Sequence, residues 1–387
     1  MKIDSVFLLS LVYAVVNALF LVRGISNGGF LFDEQWVKIS PISYLLSYMF
    51  QLLSIVYIVF FYFVAKTKLE RDSLLFVNKR SGLVVLIIQV AFWLFCIYTG
   101  SGIAGSKFRF AEVNLLNYVF VIVKPDLLAI LTIPFISNNK VCKYNLLFLG
   151  FSLMSRGWMG SVFIVFLLYL VRNEIYFKAK NSIKFFLLFI ALILSLPFID
   201  GLKWGLRKGI AVNEIIINVV GNYNFDFFGK IIFSVISRFQ HLNYSASLIE
   251  NREMYWDLFL NRNFRTFFEN GILYEIFIKI FPSFSRPDLN LVLSGAYLKG
   301  EVYNVDPGMA GWIGLLGFSS VFFFMFVFCI HFVPLFVGAR YLGARYVRLF
   351  SLFSLLYLFH GWFAPFLDFT LYSVIYYFFF KKIKIWG

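Results

Sequence analysis

Residues 144–171 read YNLLFLGFSLMSRGWMGSVFIVFLLYLV, an apolar run of 28 residues with Arg156 near its middle. One straight helix over this run would be roughly 42 Å long, well beyond the roughly 30 Å of bilayer hydrocarbon. A guanidinium at that depth is costly, so Arg156 is expected to face protein, a water-filled cavity or an anionic ligand. Gly157, beside Ser155, weakens the helix at the same place. A break at Ser155-Arg156-Gly157, leaving helices over about 144–154 and 158–171, fits better than a single span.

The rest of the chain places this run in a membrane setting. Across 387 residues, 61% are apolar and only 14% charged, and the mean hydropathy is +0.82. Ordinary soluble domains carry about 25% charged residues, so the composition reads as polytopic. Met1-Lys2-Ile3-Asp4 leads into an apolar stretch ending at Val22 without a small-residue cleavage site, which reads as a retained first span. The net charge of +15 does not call for nucleic acid, because Lys and Arg cluster in short loops between spans, as the positive-inside rule produces. Cys96 and Cys329 lie in apolar runs and Cys142 in a short basic loop, a pattern of neither disulfides nor metal ligation.

Apolar runs at about 5–22, 42–65, 82–99 and 113–136 read as four spans. Lys66, Lys68, Arg71, Lys79 and Arg80 place the loop after the second span, and the N-terminus, in the cytoplasm. Lys140 and Lys143 on one side of the opening run, and Arg172, Lys178, Lys180 and Lys184 on the other, are both basic. A single crossing would put one cluster outside; a broken hairpin with Arg156 at its apex does not. Leu349–Phe380 repeats the pattern between Arg340, Arg345 and Arg348 and Lys381, Lys382 and Lys384, with His360-Gly361-Trp362-Phe363-Ala364-Pro365 as its turn. With one exit over 184–199 and one return over 309–337, the chain is expected to be all-α, with about ten membrane helices and cytoplasmic termini. It divides into an N-terminal bundle (1–199), a large external loop (200–306) and C-terminal helices (307–387). Ile215–Val220 and Ile231–Ile236 in the loop suit interfacial helices.

Chemistry-bearing residues concentrate in that loop. Arg207, Arg238, Arg252, Arg262, Arg265 and Arg286 could offer bidentate contacts to phosphate or carboxylate, while Glu250, Glu253, Asp257 and Glu269 point to surface pairing for most of them. Arg238 and His241, three residues apart, would share one face of a helix. His241 is the loop's one histidine and is a general-base candidate; a solvent-facing or interfacial position beneath an aromatic neighbour is the plainer alternative. His331 is expected to bond a neighbouring carbonyl within its span, and His360 lies at a turn nearer to any site. Lys124-Pro125-Asp126 reads as a kink with a local ion pair. Three scattered histidines give no metal-ligand spacing, and no glycine-rich phosphate loop follows a strand.

Three elements carry a resemblance. Ser155-Arg156-Gly157-Trp158 resembles the Ser-Arg-Gly element of the O-antigen polymerase (Wzy) family and its relatives, the O-antigen ligases. Phe281-Pro282-Ser283-Phe284-Ser285-Arg286-Pro287-Asp288 is similar to the polymerases' Pro-Arg-Phe-x-x-Pro-Asp-Lys stretch, with Ser283 in place of arginine and Leu289 in place of lysine. Asp306-Pro307-Gly308-Met309-Ala310-Gly311-Trp312-Ile313-Gly314 resembles their glycine-rich return into the next span. The match covers about 144–320.

The resemblance implies a C-type membrane glycosyltransferase fold at the periplasmic face of the bacterial inner membrane. It implies polymerisation of undecaprenyl-diphosphate-linked O-antigen repeat units for lipopolysaccharide, by inverting transfer without metal or other cofactor. Donor and acceptor are both lipid-linked oligosaccharides in the bilayer, and a chain-length regulator is the expected protein partner. Arg156 and Arg238, with Arg207 or Arg286, would bind the diphosphate, and His241 would take the proton from the attacking hydroxyl. The rival readings are an O-antigen ligase acting on lipid A core, a lipid-linked oligosaccharide flippase and a non-catalytic membrane subunit.

Overall fold

The computed structural model describes residues 2–32, 35–69, 77–102, 115–158, 160–173, 177–178, 194, 197–201, 205, 212–221, 225–297 and 305–383. Among them, five helical stretches are long and apolar enough to cross a bilayer: Ser5–Asn27, Pro41–Thr67, Lys79–Thr99, Leu116–Phe135 and Gly308–Leu342. Leu11, Val15, Leu19, Val22, Met49, Val56, Phe60, Val84 and Ile87 on the first three are exposed, a surface that lipid covers better than water. The protein is an all-α membrane protein of several passes. Two short antiparallel ribbons, which hydropathy gave no reason to expect, join β1 (Lys2–Ile3) to β4 (Phe177–Lys178) and β2 (Gly29–Phe32) to β3 (Gln35–Lys38). Most of the run 184–199 lies outside the described residues.

Contacts group the chain into two interleaved units: Met1–Ser5, Ser73–Val235 and Ile375–Gly387 in one, Val6–Asp72 and Ile236–Val374 in the other. Hydropathy divides a chain by stretches of sequence, whereas contact groups helices that meet in space. The two divisions therefore follow different lines.

In the first unit, α3 (Lys79–Thr99) and α6 (Asn139–Ser155) begin at asparagine caps. Asn78 accepts from the Ser81 amide at 2.8 Å and Asn138 from the Val141 amide at 3.0 Å, each contributing about 1 kcal/mol. The two helices are tied by Gln89 Nε2 donating to Asn145 Oδ1 at 2.7 Å and Asn145 Nδ2 to the Gly82 carbonyl at 3.0 Å. The fourth predicted span is broken into α4 (Leu115–Val123) and α5 (Pro125–Thr132). Lys124 takes φ 44° between them, and Pro125, lacking an N–H, fits the first position of the new helix.

The opening run breaks where the sequence places the break. α6 stops at Ser155 and α7 (Ser161–Arg172) starts beyond it. Gly157 adopts φ 78°, its amide bonds the Met154 carbonyl and the Trp158 amide bonds the Leu153 carbonyl, both at 2.9 Å. This is a Schellman stop, with the left-handed residue supplied by glycine. Gly157 thus ends the helix actively, beyond merely lowering its propensity.

In the second unit, α1 (Ser5–Asn27) carries Tyr13 and Asn17, and α2 (Pro41–Leu69) packs on α10 (Leu242–Glu250) and α14 (Gly308–Leu316). Between α7 and α10 in sequence lie α8 (Val212–Gly221) and α9 (Phe225–Ser237), which belong to the first unit as far as Val235 and include the two patches expected to be interfacial helices. The loop continues through α11 (Arg252–Leu260), α12 (Gly271–Ile280) and α13 (Leu289–Tyr297). The single span expected over 309–337 is interrupted: a 3-10 turn at Gly317–Ser319 separates α14 from α15 (Ser320–Leu342). Gly317 takes φ 55°, and a Cβ there would lie 2.4 Å from the Arg252 guanidinium, which donates to the Leu315 carbonyl at 3.1 Å.

The last hairpin joins α16 (Ala344–Phe353), a π-turn at Ser354–Leu358 and α17 (Phe363–Ile383). Its arms meet through Tyr346 Oη donating to Ser373 at 3.1 Å and through Phe353 stacked on Phe369. The turn repeats the chemistry at 157: Gly361 has φ 78°, its amide bonds the Leu358 carbonyl at 3.0 Å and the Trp362 amide the Tyr357 carbonyl at 2.9 Å. The helix resumes at Phe363, so Ala364 and Pro365 belong to its first turn rather than to the connection.

Candidate functional site

Within the second unit, a chain of polar side chains runs through the core. Tyr13 Oη lies 2.5 Å from His360 Nε2, His360 Nδ1 lies 2.7 Å from His241 Nε2, and His241 Nδ1 lies 3.0 Å from the Asp306 carbonyl. Tyr13, His241 and His360 are all buried. A carbonyl oxygen can only accept, which places the His241 proton on Nδ1 and leaves Nε2 as an acceptor. His360 must then donate from Nδ1, and its Nε2 accepts from the Tyr13 hydroxyl. One backbone carbonyl therefore fixes the hydrogen-bond direction along the whole chain. Burial pushes the His241 pKa down to about 4, against a smaller upward pull from the Asp306 carbonyl. His360 is also lowered, by burial and then by the neighbouring His241.

The ends of this chain are held by backbone. The Asn17 side chain accepts from the His241 amide at 3.1 Å and donates to the carbonyls of Phe239 and Tyr13 at 3.1 and 2.8 Å. The Met309 amide bonds the Phe359 carbonyl at 3.1 Å. A Cβ on Gly361 would lie 3.0 Å from Gly308 Cα, and one on Gly308 2.8 Å from the Phe359 carbonyl. Only glycine at both positions allows these two backbones to lie against each other. Trp362 Nε1 donates to Asp306 Oδ2. The half-buried Asp306 carboxyl has its pKa pushed up to about 7, by burial first, with Trp362 opposing and Asp288 adding.

These observations revise the expectations for His241. Arg238 and His241 do not share a helical face: α9 ends at Ser237 and α10 begins at Leu242, leaving both in the connection. Arg238 is exposed, His241 is not. Both ring nitrogens of His241 are engaged, so in this arrangement its lone pair faces His360. Phe359 packs edge-on to the ring as expected, but the ring is buried rather than solvent-facing. His331 departs from expectation: its nitrogens make no hydrogen bond among the described residues, and it lies among the rings of Tyr57, Phe61, Phe350 and Phe366.

The loop arginines divide. Arg265 pairs with Glu275 at 3.0 Å and Asp288 at 3.4 Å, and Arg286 with Glu269 at 3.9 Å. Arg265 also donates from Nε to the Arg286 carbonyl at 2.8 Å and from its amide to the Pro287 carbonyl at 2.9 Å, so it shapes the Ser-Arg-Pro-Asp stretch. Tyr244 lies within electrostatic reach of both Arg238 and Asp306. Arg207 lies outside the described residues.

In the first unit, Arg156 is 2% exposed. Its Nη2 donates to Asp126 Oδ1 at 2.7 Å and Oδ2 at 2.8 Å, its Nε to the Ser152 carbonyl at 3.0 Å, and its plane lies over Phe92. The neighbouring Trp158 donates to the Gly102 carbonyl at 3.0 Å. The burial of the guanidinium is thus compensated by a carboxylate of the protein itself. Sequence reading placed Asp126 in a local pair at its own kink and did not connect it with Arg156. It also passed over Tyr13 and Asn17, although Asn17 inside an apolar span was a usable signal, and it gave Asp306 and Trp362 a place in a motif and a turn but no chemical role.

Comparisons of the chain with protein-family models, with curated proteins and with solved structures return no match. The functional reading therefore rests on the site's own chemistry and on the short motifs.

Proposed function

We propose that this protein is a metal-independent inverting glycosyltransferase that polymerises undecaprenyl-diphosphate-linked oligosaccharide units at the periplasmic face of the inner membrane. The observation carrying the proposal is the buried Tyr13–His360–His241 chain bonded to Asp306. Polar groups at this burial are held in one arrangement, as an acid–base centre requires. In the same unit Arg238 is exposed beside His241, and Arg286 is held in the Ser-Arg-Pro-Asp stretch by Arg265. Arginines of this kind suit a diphosphate leaving group, whose developing charge calls for fixed donors rather than a nucleotide pocket. Arg156, already neutralised by Asp126, serves the broken turn in this reading.

Purified protein in lipid nanodiscs, given lipid-linked repeat units and a chelator, should yield a ladder of lengthened lipid-linked glycan and free undecaprenyl diphosphate. Delivery of glycan only to added lipid A core would replace the polymerase with the ligase. Movement of intact donor across the bilayer with no change in glycan length would make it a transporter.

A further inference from the structure

His241 was the expected base, yet its geometry leaves no lone pair for a substrate: Nδ1 donates to the Asp306 carbonyl and Nε2 accepts from His360. Reversing its tautomer would set a lone pair against the carbonyl oxygen and reverse every bond back to Tyr13, and turning the ring would put C–H groups in place of both nitrogens and break both bonds. The side chain of the residue it holds is differently placed. Asp306 is half-buried, and one carboxylate oxygen accepts from the Trp362 indole. Its backbone is pinned by His241, and the following Gly308 and Met309 lie against Phe359 and Gly361. The carboxylate thus stands on a rigid mount, within electrostatic reach of Tyr244, which Arg238 also reaches.

We infer that Asp306 is the general base of this site and that His241, His360 and Tyr13 are positioning residues that hold its backbone. The inference rests on the glycosyl-transfer reading above. In the step assigned to it, the acceptor hydroxyl oxygen bonds to the donor's anomeric carbon as the bond from that carbon to the diphosphate oxygen breaks. The electron pair leaves on the diphosphate, and the hydroxyl proton passes to the Asp306 carboxylate. A carboxyl held near neutrality by burial suits this role, since a base works best when its pKa lies near the working pH. Trp362 serves both to orient the acceptor oxygen atoms of the carboxylate and to tie it to the turn that carries His360.

The test uses the full-length protein in nanodiscs with lipid-linked repeat units. Asp306→Asn keeps the side chain's shape and an acceptor for Trp362, and should lower the polymerisation rate by about 10²–10⁴-fold with donor binding unchanged. Asp306→Ala with added azide, which needs no deprotonation, should release undecaprenyl diphosphate and form a glycosyl azide of inverted configuration. His241→Asn should lower kcat without any azide rescue. Near-normal polymerisation by Asp306→Asn, or an inactive Asp306→Ala that binds donor yet gives no azide product, would overturn the assignment. Azide rescue of the His241 variant alone would return the base to His241. Wild-type protein that lengthens no glycan would instead sink the polymerase reading itself.

Discussion

Arg156-Gly157-Trp158 and His360-Gly361-Trp362 are built to the same local plan and used to different ends. Each ends a helix with glycine at φ 78°, each places a buried ionisable residue immediately before that glycine, and each follows it with a tryptophan whose indole N–H is hydrogen-bonded. The stop is required because a long apolar run must be cut, and glycine in the left-handed region closes the last turn. The partners differ. Arg156 meets a carboxylate in an ion pair; His360 meets another imidazole and a phenol in a chain of neutral hydrogen bonds. A closed ion pair is suited to holding a structure, whereas a neutral directional chain ending at Asp306 is suited to fixing a reactive group.

The sharpest way to break this contrast is to remove one charge. Arg156→Met leaves the Asp126 carboxylate, 30% exposed, without its partner and should cost about 3 kcal/mol, the low end for a broken buried pair, read by equilibrium unfolding in mixed micelles. Adding Asp126→Asn should return a large part of that loss, while Arg156→Lys, with its charge but without its fork, should fall between. Additive losses in the double variant would deny that the pair is coupled.

An effect no larger is expected from acid. Unfolded His241 titrates near its ordinary value of 6.5 and the folded residue at about 4, so between these values the unfolded chain binds more protons. The stability contributed by the neutral ring is complete above about pH 6.5 and is lost as pH falls towards 4, by up to about 3 kcal/mol. Unfolding midpoints measured from pH 7.5 to 4 should show this slope, and His241→Asn should reduce it, with the buried His360 keeping its own share. A slope unchanged by that variant would assign the acid sensitivity elsewhere.

The smallest effect concerns the shared glycine. Alanine at 157 or 361 must adopt the left-handed region at about 1–2 kcal/mol. At 361 the added Cβ would also press on Gly308 Cα, 3.0 Å away. Gly361→Ala should therefore lower the thermal midpoint and the rate of glycan polymerisation together.

What sequence alone determined is local. Apolar length and basic flanks located the broken run and the last hairpin, because the mismatch between a helix and a bilayer is written in consecutive residues. A glycine one place after Arg156 and after His360 marked each stop for the same reason. Even so, the break at Gly317 escaped notice, since it depends on Arg252 lying where a side chain would have been.

Only tertiary structure decided what each buried polar group bonds. Asp126 is 30 positions from Arg156, His241 is 119 from His360, and Tyr13 is 347 from His360. Hydropathy and helical period say which face is buried, but a hydrogen-bond partner that far along the chain is set by how helices pack. His241 therefore read only as a candidate base in the sequence. Folding commits both its nitrogens, one to the Asp306 carbonyl and one to His360.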